Sequence, residues 1–145
     1  NRSRRGRTKT LPISDVNNFR AAVVSCSSYP HGYFNVYDRI SERNDINAIL
    51  HLGDYIYEYG LNEYGNNGNR KPEPENAIVS LSDYRTRHSQ YKLDTMLQNL
   101  HQQYPFYTVW DDHEFAIQGE MDMKITIHLD KEIGTLEKAQ HFKLI

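Results

Sequence analysis

His51-Leu52-Gly53-Asp54-Tyr55-Ile56-Tyr57 is the stretch on which the reading of this chain turns. An apolar run from Ile46 to Leu52 stops at Gly-Asp, and a tyrosine follows three residues after the aspartate. A buried parallel strand reads as a short, nearly continuous apolar run. Here its C-terminal tip delivers a carboxylate. The same form recurs at Val109-Trp110-Asp111-Asp112-His113-Glu114, where a strand over 106–110 runs into three carboxylates around one histidine. A third tip is Ala22-Val23-Val24-Ser25-Cys26, which ends on the only cysteine. Ligands of open α/β sheets sit beyond the carboxyl ends of the strands. Cys, Asp, Tyr and His side chains are the donors of transition-metal sites.

Working outward, the pattern predicts strands over about 19–26, 46–52 and 106–110. Tyr33, Val36, Tyr37 and Ile40 recur at helical spacing and predict a helix over about 33–43, stopped by Asn44-Asp45. Residues 59–79 carry Gly60, Gly65, Gly68, Pro72 and Pro74, which punctuate a long loop of the kind that often borders a site. Ser80-Leu81-Ser82-Asp83 has the form of a capping box opening a helix with Tyr84, His88 and Tyr91 on one face. Asp94 caps a further short helix carrying Met96, Leu97 and Leu100. The order β-α-β-loop-α-α-β argues an α/β class with a parallel, right-handed sheet.

Composition narrows the function classes. The 145 residues suffice for one domain or part of a larger one, and a hydrophobic share of 38% permits a core. A net charge of -2 argues against a general nucleic-acid partner. The local excess at Arg2, Arg4, Arg5, Arg7 and Lys9 reads as a solvated linker rather than a phosphate-binding arm. One cysteine excludes an internal disulfide framework. No apolar run approaches the ~18 residues of a membrane span. There is no signal peptide and residue 1 is Asn, so a processed chain or a piece of a longer one is expected, without implying a cytoplasmic location.

Each candidate side chain also has a plain structural reading. Asp54 after Gly53 could serve as a turn residue or a ligand. Tyr57 could be a packed aromatic, in a chain with 11 tyrosines, or a hard oxygen donor for ferric iron. Cys26 could be a small core residue or a thiolate ligand. His113 alone is unremarkable; flanked by Asp111, Asp112 and Glu114 it gains a raised pKa and a defined tautomer, and could protonate a leaving oxygen. Their shared position on three successive strand tips is what favours a site.

Taken together, Gly53-Asp54-Tyr55-Ile56-Tyr57-Glu58-Tyr59 and Trp110-Asp111-Asp112-His113-Glu114 resemble PhoD-type alkaline phosphatases, a branch of the calcineurin-like metallophosphoesterases. Val24-Ser25-Cys26-Ser27, Pro30-His31-Gly32-Tyr33-Phe34-Asn35 and the stretch from Tyr84 to Asp94 match as well, and the resemblance covers about residues 6–116. It implies part of a metallophosphoesterase-like α/β sandwich and metal-assisted hydrolysis of phosphate mono- or diesters with ferric iron and calcium. Cys26, Asp54, Tyr57 and Asp112 would be metal ligands and His113 the catalytic histidine. Residues 1–18 would link to an N-terminal β-domain outside this chain, and 19–116 would be the first part of the metallophosphoesterase domain. The resemblance further implies a secreted, periplasmic or cell-surface location.

Beyond Ala116 the resemblance stops, and His128 and His141 lack the Gly-Asp or Gly-His context of the family's later ligands. Codons for Met121 to Leu144, with the first two bases of Ile145, can be chosen so that another frame reads GYENHNPFRQRDWNARKSAALQTY, which resembles the family's continuation. A divergent tail over 117–145, displaced by a frameshift between about Ala116 and Met121, is therefore expected. So short a piece is expected to be inactive. Two other readings stand beside a phosphoesterase fragment: a non-catalytic metal- or phosphate-binding module, and a structural or interaction fragment.

Overall fold

The computed structural model describes residues 4–10, 13–64 and 70–115. Strands β1 (Ala21–Val24), β2 (Ala48–His51) and β3 (Phe106–Thr108) form one parallel sheet in the order β1-β2-β3. The predicted strands are right in place and direction but shorter, because their last residues leave the ladder to build the tips. Helices α1 (Asn35–Ser41), α2 (Leu81–Tyr91) and α3 (Thr95–Gln103) supply the crossovers. The fold is thus the expected α/β arrangement with a parallel sheet.

The register separates two faces. Ala22, Ile49 and Phe106 share one row, and Val23, Leu50 and Tyr107 share the next. Successive strand residues point to opposite faces. Both crossovers advance the same way across the sheet, so right-handed connections put all three helices on one side. There Ile49 is fully buried, among Tyr37, Tyr91, Leu97 and Leu100. On the other face Val23 and Tyr107 are exposed.

The helix ends are set by local chemistry. Ser80 Oγ accepts from the Asp83 N–H while the Asp83 carboxylate accepts from the Ser80 N–H, the reciprocal box the sequence predicted. Asp94 accepts from the N–H groups of Met96 and Leu97 at the start of α3. Two helix faces differ from expectation. In α1 only Tyr37 is buried, and Tyr33 and Val36 are exposed. In α2 the buried side chains are Arg87, Gln90 and Tyr91, with His88 exposed. The reason is the long loop, which returns along α2 with carbonyls that require donors. Arg87 donates to the carbonyls of Tyr57, Tyr59, Glu73 and Pro74, and Gln90 bonds Lys71 O and the Glu73 N–H. Arg70 fastens the same loop, ion-pairing with Asp94 at 2.6 Å and stacking its guanidinium 3.5 Å above the Tyr29 ring.

Candidate metal centre at the strand tips

The tips of β1 and β2 stay paired after the strands end. The Cys26 N–H donates to Gly53 O at 3.3 Å and the Ser27 N–H to Asp54 O at 2.9 Å. Cys26 and Asp54 both lie in the left-handed region, at φ 58 and 53. Non-glycine residues held there are strained, a condition that clusters at functional sites. Gly53 has φ 103 and touches the third tip: a Cβ there would sit 2.4 Å from Asp111 Cβ. Only glycine lets the β2 and β3 tips approach this closely.

One carboxylate then locks those tips together. Glu114 accepts from the N–H groups of Asp54 at 2.9 Å, Tyr55 at 2.6 Å, Ile56 at 3.3 Å and Asp111 at 2.7 Å. Behind the turn, His51 is fully buried with Nε2 at 3.1 Å from Tyr37 OH and 3.3 Å from Ser27 Oγ. Burial lowers its pKa.

At the front, Asp54 Oδ2 is reached by Cys26 Sγ and by Tyr57 OH, each at 3.4 Å. Its Oδ1 is buried with no hydrogen-bond partner among the described residues. Single donor atoms of Asp54, Asp112 and His113 lie within 4.8 Å of one another. The structure therefore brings Cys26, Tyr57, Asp112 and His113 to Asp54. Cys26 is exposed at the tip and is not a core residue. An orphaned buried oxygen amid thiol, phenol, carboxylate and imidazole donors fits a cation.

Electrostatics sort the roles available. Burial, then the charges of Asp54 and Cys26, raise the Tyr57 pKa, so the phenol keeps its proton at neutral pH. His113 Nδ1 pairs with Glu58 Oε2 at 2.8 Å. Burial acts to lower the His113 pKa, but the hydrogen bond and charge of Glu58, with Asp54 and Asp112, outweigh it and hold the imidazole above its ordinary range. Its ring lies 4.2 Å from that of Tyr57. Tyr59 and Tyr64 stack beside it, their centroids 4.7 Å apart.

Glu58, Glu114 and Arg87 were not singled out from the sequence. Glu58 and Glu114 stood beside the chosen residues in both motifs, but nothing local says that the first meets an imidazole and the second four amides. Arg87 lay in a matching stretch, but its role carried no signal, because its partners are backbone carbonyls.

The PhoD-like phosphatase family model matches residues 21–117. Alkaline phosphatase D of Bacillus subtilis (strain 168) is 43% identical over 112 residues, which is 75% of this chain and 19% of that protein. A solved structure of PhoD is 41% identical with a TM-score of 0.65, over 72% of this chain and 20% of the other. The chain therefore spans about a fifth of the length of the relatives it matches. With three strand tips, their donors and this similarity in agreement, the chain belongs to the PhoD-like phosphatase family.

Proposed function

We propose that this chain is the first part of a metal-dependent phosphoric ester hydrolase acting on phosphate mono- or diesters. The observation that carries the reading is Asp54. One oxygen lies 3.4 Å from both Cys26 Sγ and Tyr57 OH, while the other is buried and unpartnered among the described residues. Cys26, Asp54, Tyr57 and Asp112 would hold the cations. Thiolate and phenolate suit ferric iron, and carboxylates suit calcium. Bound cations supply Lewis-acid neutralisation of phosphoryl charge and acidify an attacking water. His113, oriented by Glu58, whose hydrogen bond and charge raise its pKa, would deliver a proton to the leaving oxygen. Glu114 and Gly53 keep the donors in place without touching substrate.

In this reading residues 1–18 lead in from a β-domain, 19–116 begin the metallophosphoesterase domain, and 117–145 are out of frame. The end of the family match at residue 117 supports that last boundary. The longer protein would be secreted, periplasmic or at the cell surface. The 145-residue chain by itself binds metal and does not turn over substrate.

The test is to load the purified chain with ferric iron and calcium and record metal content and the visible spectrum. A tyrosinate charge-transfer band should appear and be lost in Tyr57→Phe. An iron-loaded protein whose spectrum ignores that change sinks the assignment of Tyr57. In the full-length, frame-restored enzyme, His113→Ala should lower hydrolysis of p-nitrophenyl phosphate about 100-fold or more while metal content stays close to wild type. Equal losses of metal and turnover would make His113 a ligand instead.

A further inference from the structure

A second polar cluster lies in a cavity of about 210 Å³ lined in part by Tyr55, His88, Lys92, His101 and Trp110. None of Cys26, Asp54, Tyr57, Asp112 or His113 lines it. Lys92 Nζ is 2.7 Å from Tyr55 OH and 3.0 Å from His101 Nε2, and Tyr55 OH is 2.8 Å from the same Nε2. The ammonium also sits 4.7 Å from the Tyr55 ring centroid.

Hydrogen-bond accounting shows a surplus of donors. An ammonium offers three hydrogens and a phenol one, whereas Nε2 of a neutral imidazole accepts a single hydrogen. Lys92 can donate to the phenol oxygen, and either Lys92 or Tyr55 can donate to His101. Two donor hydrogens are then left over, open to solvent, since Lys92 is exposed, beside a charge that no carboxylate neutralises among the described residues. Glu114 also lines the cavity, but its oxygens already accept four backbone N–H groups.

We propose that the Lys92–Tyr55–His101 triangle is an oxyanion-binding site, taking a carboxylate or a phosphate. Either ligand offers the two acceptors and the negative charge that the triangle lacks. Partial burial lowers the pKa of Lys92 and, with the Lys92 charge, brings that of His101 down to about 4. The anion would come either from an acidic side chain elsewhere in the longer protein or from free phosphate.

The site is independent of the metal centre, and its test uses the whole metal-free chain in EDTA. Lys92 and Lys71, both exposed but only the first in the triangle, are reductively methylated under limiting formaldehyde and compared by peptide mass spectrometry, in chloride, phosphate or acetate at equal ionic strength. An oxyanion that raises the amine pKa by one unit slows its labelling about tenfold. Slowing of Lys92 relative to Lys71 by phosphate and acetate alike supports a site open to a protein carboxylate. Slowing by phosphate alone supports the phosphate ion. His101→Gln and Tyr55→Phe should each weaken the protection, and Asp54→Asn should leave it intact. Labelling that ignores both anions, or protection that survives both His101→Gln and Tyr55→Phe, overturns the proposal.

Discussion

Gly53 shows how one atom can decide the geometry of the site. A methyl group at this position meets Asp111 Cβ at 2.4 Å and Asp111 N at 2.8 Å, on a backbone with φ 103. Gly53→Ala should therefore cost about 2–4 kcal/mol in urea unfolding through strain and overpacking, and weaken iron binding by separating the β2 and β3 tips. The Gly-Asp pair was legible because an apolar run ended on it. So was His113, ringed by acids. What was not legible was the division of labour among those acids. Asp112 lies near Asp54, whereas Glu114 turns back to amides about 60 residues earlier. Sequence spacing carries no trace of so remote a pairing.

At the scale of elements, the helix starts were readable and two buried faces were not. Ser80 with Asp83, and Asp94 alone, announce their helices because capping is local chemistry. The inner face of α2 depends on what passes over it. A loop that presents carbonyls selects Arg87 and Gln90 beside Tyr91, where the sequence had grouped His88 with Tyr84 and Tyr91 on one face. Arg87 is almost fully buried and serves Tyr57 and Tyr59 on one arm of the loop, Glu73 and Pro74 on the other. Arg87→Met should leave these carbonyls without their donor and destabilise the chain by about 3 kcal/mol or more. Limited proteolysis should then cut within residues 59–79 well before α2. Unchanged cleavage would mean that the loop holds itself.

For the whole molecule, a parallel sheet normally has both faces covered. Here the helices cover one, and Val23 and Tyr107 stand exposed on the other. The isolated chain should therefore melt broadly, bind a hydrophobic dye and aggregate, and a longer, in-frame protein should melt sharply. Reading the coding DNA for the shifted frame checks the origin of 117–145, which lie outside the described residues except for the sequence itself. Acid should act on the core through His51 and His101, both held neutral by burial, with His101 down to about 4. Their folded pKa values lie below the unfolded value of about 6.5. The stability they contribute is present above about pH 6.5 and is lost as pH falls toward 4. Circular dichroism melts across that window should show it, and His101→Gln should flatten the dependence.

Glu114 ties the β2 turn to the β3 turn, and among the described residues that build the centre it comes last in the chain. During synthesis every donor from Cys26 to His113 leaves the ribosome first. Until residue 114 emerges, the amides of Asp54, Tyr55, Ile56 and Asp111 have no acceptor from this side chain. Assembly of the centre on a nascent chain should therefore switch on over a single codon. Stalled chains ending just before and just after Glu114 has cleared the exit tunnel should differ in metal capture, although they carry the same donors.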